Sequence, residues 1–440
     1  MGTRNRLAPL PAASLFFACA CAVGCTAILG GFEVGGAVDA DAGTDAGEPD
    51  APSSDAGPDA SSNHLSGVKL VTLGARHSCA LTNANEVFCW GDNADGQLGL
   101  PAATIRSERP VKITLPDDVK ELVAGAFHTC AVTRSFDAWC WGRNACGQVG
   151  AGDDANPSRA PRKVTTPSSG QPLQWSAIAP GLDHTCGIES GGATYCWGCN
   201  ADKQAGAIGA APSNIPVNAG IDKQSAVALS AGPTHTCIRS SASPRVRCWG
   251  TSTLGALGDG PPASDATDNA VEANVGTSVT ALSAGDAHTC ALDANKSARC
   301  WGDNAFGQLG NTDAGALLDA PGSQVLGGQA LAIAAGGAFT CVLSAADAKV
   351  RCFGKNESGE LGRAGTPDTA THAVPEPVVR PGSPTAQIEA ASIGAGRDHA
   401  CAVLTGDGEV VCWGKGADGQ LGDGTAGGEP RTSPVFVLRP

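Results

Sequence analysis

Two residue types in this 440-residue chain recur at spacings that invite chemistry. Six of its eight histidines, His77, His128, His184, His235, His288 and His399, stand two residues before a cysteine. Repeated imidazoles suggest metal ligation or acid–base work, because a neutral imidazole binds transition metals and titrates near neutrality. The cysteines recur as well, in pairs 10 or 11 residues apart: Cys79 and Cys89, Cys130 and Cys140, Cys186 and Cys196, Cys237 and Cys248, Cys290 and Cys300, Cys341 and Cys352, Cys401 and Cys412. Paired thiols at that distance suit either cross-links or small buried apolar groups.

The pairs fit hairpins. A short strand, a turn such as "TNAN", "ESGG" or "TGDG", and a return strand lie between the two cysteines of each pair. If Cys79 faces Cys89, Ala80 opposes Phe88, Leu81 opposes Val87 and Thr82 opposes Glu86, with a three-residue turn at Asn83–Asn85. Directly opposed residues sit roughly 4.5–5.5 Å apart at Cα, within reach of a disulfide. The sixth repeat replaces the His by Phe339 and the following Trp by Phe353, and the third loses part of "GQLG", yet no repeat keeps one Cys of a pair without the other. Seven cross-strand disulfides are therefore expected. Side chains alternate along a strand, so Trp90, Trp141, Trp197, Trp249, Trp301, Phe353 and Trp413, each next to a Cys, point to the opposite face as large apolar anchors. Cys146 and Cys199, in "WGRNACGQ" and "WGCNADKQ", stand outside this pattern and form either an eighth disulfide between neighbouring repeats or two free thiols.

The elements that position these residues belong to a repeat, A-G-x-x-H-T-C-A-(V/L)…C-W-G-x-N-x-x-G-Q-L-G, seen seven times at intervals of 51 to 60 residues. Gly and Pro make up about a fifth of the chain and Met and Tyr occur once each, which favours short strands and tight turns over helices. The expected fold class is all-β, a seven-bladed β-propeller over residues 67–440 with one blade per repeat. The strand "VKLVTL" at Val68–Leu73 and the segment "PVFVL" at Pro434–Leu438 are expected to pair in one blade and close the ring. "HTCAL", "CWGDN" and "GQLG" resemble the regulator of chromosome condensation repeat family from Val68 to the C-terminus. That resemblance implies a seven-bladed propeller with protein partners. Nuclear members exchange guanine nucleotides on a small GTPase and secreted bacterial members include a β-lactamase inhibitor, but a shared fold transfers neither role.

Within stacked blades the six histidines share a face with the cysteines. Repeat-related positions lie too far apart to share one ion, so a buried His bonded to a turn is expected rather than a metal site. "DNADG" at Asp92–Gly96 lacks the ligand phase and terminal Glu of a calcium loop. No nucleophile elbow, zinc-protease helix or phosphate-binding Gly-Lys motif is present, and no cofactor, metal or catalytic residue is assigned.

The N-terminus reads as an export signal over residues 1–24: Arg4 and Arg6, then an apolar run ending in small residues. "AVGC" resembles a bacterial lipobox with Ala22 where Leu is usual. Cys25 is then either lipidated or beyond a plain signal cleaved nearby, Cys19 and Cys21 leaving with the signal. Thr26, rather than Asp, points by analogy to the outer membrane. Residues 25–66, rich in Asp, Ala, Ser and Gly, read as a disordered acidic tether. The formal charge is −14, and removing the two basic and eight acidic residues of the first 60 positions leaves −8 for residues 61–440, which disfavours nucleic acid. Two links between repeats are long. From the last Gly of "GQLG" to the Gly of the next repeat most span 26 or 27 residues, but the second-to-third spans 31 and the sixth-to-seventh 34. Asp153, Asp154, Arg159, Arg162 and Lys163 in the first, with Glu376 and Arg380 in the second, are the candidate partner-binding residues, against a reading of both links as tolerated insertions. The function expected is a non-enzymatic, lipid-anchored, monomeric protein-binding propeller of the cell envelope whose partner is unknown. The alternatives are an exported lyase or hydrolase using Asp153, Asp154 or His372 at the central opening, and a purely structural component.

Overall fold

A computed structural model describes residues 63–153, 156–167, 172–209, 211–221, 225–241, 246–252, 254–260, 266–276, 278–311, 317–322, 325 and 328–440. The export signal, Cys25, most of the tether and Asp154 lie outside the described residues. Among the described residues seven four-stranded antiparallel sheets follow one another, each built from four consecutive strands. In blade 1 these are, from the axis outwards, Val68–Leu73, His77–Thr82, Val87–Asp92 and Arg106–Ile113. The innermost strands of blades 2 to 7 are Val119–Ala124, Trp175–Pro180, Ala226–Ala231, Val279–Ala284, Ala330–Ala335 and Ala390–Ala395. The second strands of blades 1, 2 and 6, "HTCAVT" among them, are buried at every position and the other four at all but one, because a neighbouring blade covers each face of the sheet. That is why they show no polar alternation.

Cys79 lies directly opposite Cys89, Ala80 opposite Phe88 and Leu81 opposite Val87, and the Thr82 N–H donates to Glu86 O at 3.0 Å. The other six pairs oppose in the same way: Cys130 and Cys140, Cys186 and Cys196, Cys237 and Cys248, Cys290 and Cys300, Cys341 and Cys352, Cys401 and Cys412. All seven form the expected disulfides, with Cα atoms 4.1 Å apart. That separation is slightly closer than the directly opposed spacing expected from the sequence.

The disulfide of one blade packs on the aromatic ring of the next. Cys79–Cys89 meets Leu98 and Trp141, Cys130–Cys140 meets Val149 and Trp197, and Cys186–Cys196 meets Ala205 and Trp249. Cys237–Cys248 meets Leu257 and Trp301, Cys290–Cys300 meets Leu309 and Phe353, and Cys341–Cys352 meets Leu361 and Trp413. Cys401–Cys412 completes the circuit against Leu421 and Trp90 of blade 1. The hydrophobic core is thus seven separate inter-blade clusters, each holding one disulfide, one repeat aromatic and the apolar residue of a "GQLG" loop.

The Asn and Gln of the repeat fold that loop onto itself. Asn93 Oδ1 accepts from the Leu98 N–H and Gln97 Oε1 from the Asp95 N–H, both at 3.0 Å. The fold aims the Gln97 carbonyl at the next blade, where the Thr129 hydroxyl donates to it at 2.9 Å. Thr129 in turn accepts from Nε2–H of His77 at 2.9 Å, because its single proton is already committed. Equivalent bonds join His128 to Thr185, His184 to Thr236, His235 to Thr289, His288 to Thr340 and His399 to Ser78, at 2.8 or 2.9 Å. The acceptor is therefore a hydroxyl of the neighbouring blade, not a turn as the sequence suggested. The indole N–H of Trp90, Trp197, Trp249, Trp301 and Trp413 donates to the same class of loop carbonyl.

The sixth junction shows the pairing by its loss. Where the others place His against Thr or Ser, it places Phe339 against Ala400, so donor and acceptor disappear together. Phe339→His alone should destabilise the fold by about 1–3 kcal/mol by burying an unmatched imidazole N–H, and adding Ala400→Thr should recover most of it. Chemical denaturation of the four members of the cycle measures the coupling, and additive costs would refute the assignment.

At the axis the Gly before each second strand packs directly against the Gly carbonyl of the next blade. A Cβ on Gly74 would lie 2.5 Å from the Gly125 carbonyl oxygen and 2.3 Å from the His77 ring. The same contact runs from Gly125 to Gly181, Gly232, Gly285, Gly336 and Gly396, and from Gly396 back to Gly74 at 2.4 Å. Only hydrogen fits there.

The chain ends close the ring differently from the expected pairing. Val68–Leu73 is the inner strand of blade 1 and Arg431–Phe436 the outer strand of blade 7, in different sheets. The ends meet through the residues just before the first strand. Leu65 N–H donates to Val437 O at 2.8 Å, Arg439 N–H to Asn63 O at 3.0 Å, and the His64 ring stacks on Phe436 at 4.1 Å. The outer strand of blade 7 is complete without a strand from the N-terminal end.

Candidate functional site

The inner strands surround an axial channel with a cavity of about 280 Å³. Its wall is mostly Gly, Ala and aliphatic side chains, including Val71, Leu73, Val123, Ile333 and Ile393. Its hydroxyls serve the wall itself: Thr72 accepts from the Ala124 N–H, Ser230 from Ala284 and Ser283 from Ala335. Two charged residues reach it, Asp286 of blade 5 and Arg397 of blade 7, with Arg397 Nε 3.1 Å from Asp286 Oδ2. The guanidinium passes over Gly337 of blade 6, where a Cβ would lie 3.1 Å from Arg397 Cγ. Burial raises the Asp286 carboxyl above its ordinary value, against the pull of Arg397.

Around this mouth stand the turns between first and second strands and the "GQLG" loops. Arg143 pairs with Asp95 of the preceding loop at 2.8 Å, approaches Asp183 at 3.8 Å and lies 3.7 Å over the Phe127 ring. Lys355 reaches Asp398 at 3.3 Å and Glu357 at 3.2 Å, and Arg76 reaches Asp418 at 3.9 Å. Glu360, which replaces the loop Gln in repeat 6, is buried, and that burial raises its carboxyl to about 7. The mouth is thus a collar of alternating charge around an apolar well, suited to recognising a polar macromolecular surface. Sequence reasoning missed it. The available signal was the pair of residues after each A-G, which reads Ala-Arg, Ala-Phe, Leu-Asp, Pro-Thr, Asp-Ala, Gly-Ala and Arg-Asp while its flanks repeat.

The six repeat histidines face no solvent. Each is sealed between blades with Nδ1 unpartnered, and burial lowers their pKa values to about 3 (His77, His128, His184, His288) or about 4 (His235, His399). Among the described residues no group of three His, Cys, Asp or Glu side chains is placed to hold a metal ion.

The two long links belong to blades 2 and 6 and are not brought together. Asp153 pairs with Arg162, and Lys163 with Asp137 at 2.7 Å. Arg159 donates to the carbonyls of Asn93 and Ala94 at 3.2 and 2.9 Å, bracing blade 2 against the loop of blade 1. In the other link Glu376 pairs with Arg363 at 2.8 Å, while Arg380 lies exposed in a two-stranded ribbon, Val379–Arg380 with Ser383–Gln387. His372 Nε2 is 2.7 Å from Asp368, which Arg363 also contacts at 2.9 Å. Asp153 and His372, the described residues suggested for catalysis at the opening, do not line the channel. Cys146 and Cys199 form a disulfide between blades 2 and 3.

Comparison with known proteins places this geometry. A sequence profile described as the RCC1-like domain matches residues 32–322, and one for the regulator of chromosome condensation (RCC1) repeat matches residues 390–420. The E3 ubiquitin-protein ligase HERC2 of Homo sapiens is 27% identical over 370 residues, covering 80% of this chain and 7% of that protein. The ultraviolet-B receptor UVR8 of Arabidopsis thaliana is 31% identical over 245 residues, 54% of each chain. This chain therefore spans about half the length of one relative and a small part of the other. Among solved structures, human WBSCR16 superposes with a TM-score of 0.69 at 21% identity, covering 81% of this chain and 94% of that one. Yeast RCC1 (Prp20), solved with Kap60 bound, superposes with a TM-score of 0.68 at 21% identity over 86% of each chain. These likenesses show a shared fold.

Proposed function

This chain belongs to the RCC1-like domain family, whose propellers mediate protein interaction, and we propose that it is a non-enzymatic binding scaffold. The observation that carries this reading is the collar at the channel mouth. It presents mutually paired Asp, Arg and Lys side chains, Arg397 exposed and Asp95, Arg143, Asp286, Lys355 and Asp398 partly so, on a ring held by seven inter-blade cores. The six repeat imidazoles are spent on hydrogen bonds between blades and the fourteen repeat thiols on buried cross-strand disulfides within blades, which further supports binding over catalysis. The yeast relative's solved complex with Kap60 concerns that protein, and its partner does not transfer. In our reading the scaffold is exported, and residues 25–66 tether it to the outer membrane through a lipid on Cys25. Sixteen paired cysteines suit an oxidising compartment.

Two measurements test it. Cys25→Ser should move the protein from the membrane to the soluble envelope fraction, and unchanged membrane association would remove the anchor. Cross-linked capture from envelope extract with the full oxidised chain should recover a protein that the Arg143→Glu/Arg397→Glu variant loses at least ~10-fold. Equal recovery by both would reject the mouth as the binding surface, and a variant with its two long links shortened then tests the links.

A further inference from the structure

The eighth disulfide occupies a place in the repeat that elsewhere holds a different bond. In W-G-x-N-x-x-G the sixth residue of one repeat meets the third residue of the next. Between blades 1 and 2 these are Asp95 and Arg143, an ion pair at 2.8 Å. Between blades 2 and 3 they are Cys146 and Cys199. The position is a surface clasp between loops, filled once by charge and once by sulfur.

Its surroundings differ from those of the other seven disulfides. Their fourteen cysteines are at most 2% exposed, whereas Cys146 and Cys199 are both partly exposed. A cleft of about 550 Å³, bordered by Asn144, Ala145, Asn156, Ser213 and Asn214, opens onto Cys146 and not onto Cys199. Beneath the clasp the junction has its own fastenings: His128 to Thr185 at 2.8 Å, Thr185 to the Gln148 carbonyl at 2.8 Å and the Trp197 indole to the same carbonyl at 2.9 Å. Opening the clasp leaves the ring closed.

We propose that Cys146–Cys199 is a thiol–disulfide exchange site that accepts two electrons from an external dithiol while the propeller stays folded. The reductant's thiolate enters the cleft and attacks Sγ of Cys146, breaking the bond to Cys199, which leaves as thiolate and takes a proton. The reductant's second thiolate then attacks its own sulfur in the mixed disulfide. Cys146 is released and protonated, and the reductant departs oxidised. Access decides the order of reduction, since the other seven bonds are reached only when blades separate.

Dithiothreitol is the probe. The full oxidised chain is exposed to it in native buffer, quenched at intervals with iodoacetamide and mapped by mass spectrometry. Cys146 and Cys199 should be alkylated at least ~10-fold faster than the other fourteen, with tryptophan emission unchanged. First labelling at a repeat pair, or simultaneous labelling of all sixteen as the emission shifts, would overturn the proposal. Single variants test the direction of attack. Cys199→Ser, which leaves Cys146 beside the cleft, should react rapidly with 5,5′-dithiobis(2-nitrobenzoate), and Cys146→Ser should react slowly. Equal rates would refute the route through the cleft.

Discussion

Reduced and alkylated under denaturing conditions, then returned to neutral buffer, the chain will fail to regain its fold. Each repeat disulfide closes a loop with a sequence separation of 10 or 11. In the chain-entropy account, closing such a loop removes about 2.7 kcal/mol of freedom from the unfolded state at 25 °C. Seven together come to on the order of 19 kcal/mol, more than the roughly 5–15 kcal/mol by which folded domains usually outlast their unfolded chains. The loss also falls where the core is, because every repeat disulfide is part of an inter-blade cluster. Free or alkylated thiols would crowd the aromatic ring of the next blade. Tryptophan emission and protease resistance report the outcome, with the oxidised chain taken through the same cycle as control. A reduced chain that recovers native emission would mean that shape complementarity between blades suffices.

The second large effect is with acid. An unfolded imidazole titrates near 6.5, whereas burial holds the six repeat histidines at about 3 or 4 in the native chain. Between those values the unfolded chain binds more protons, so stability is full above pH 6.5 and falls as the pH drops toward 4. Glu360 works in the opposite sense. Its carboxyl is raised to about 7, so the native chain holds a proton between pH 4.5 and 7 that the unfolded chain has released. Six uptakes less one leave at most about five protons near pH 5, because the raised carboxyls of Asp183 and Asp286 act in the same sense as Glu360, and the slope is at most on the order of 7 kcal/mol per pH unit. Urea midpoints from pH 7.5 to 4.5 should fall steeply, and His184→Gln should lower the slope by about one proton. A flat profile would mean that the imidazoles are hydrated or charged in the native state.

The amount of this that was legible in the sequence follows from where each partner lies. Cys79 and Cys89 belong to one hairpin, so spacing alone sets their register, and the same holds for Cys196, Cys248, Cys300 and Cys352 against the cysteines that precede them. Trp141 follows Cys140, and strand alternation is enough to send it to the other face. The partner of His77 lies 52 residues away on the next blade, and a search within one repeat leads to a turn instead. The clue was a comparison between repeats, since Phe339 in the sixth coincides with Ala400 in the seventh. Ring closure was misjudged because Val68–Leu73 and Pro434–Leu438 both read as strands. Which sheet each joins depends on the number of strands already in it, and each blade already had four. The candidate binding residues were picked by loop length. Long loops gather charges that satisfy one another, as Arg162 does Asp153 and Arg363 does Glu376, while the collar is built from turns of ordinary length.

Because the outer strand of blade 7 and the inner strand of blade 1 each complete their own sheet, the ring has no seam. The junction between the last blade and the first uses the same parts as every other but the sixth, where Phe339 and Ala400 replace the His–hydroxyl pair: His399 to Ser78, Trp90 on Cys401–Cys412, and Gly396 against Gly74. Asn63 and Arg439 lie side by side there. The order in which the polypeptide visits its blades is therefore a matter of where the cycle is cut. A circular permutant, with those two ends joined and new ends opened at a link between any other two blades, would meet the same set of contacts. The closed ring belongs to the cyclic order of the repeats, and the linear order is one of seven equivalent ways of writing it.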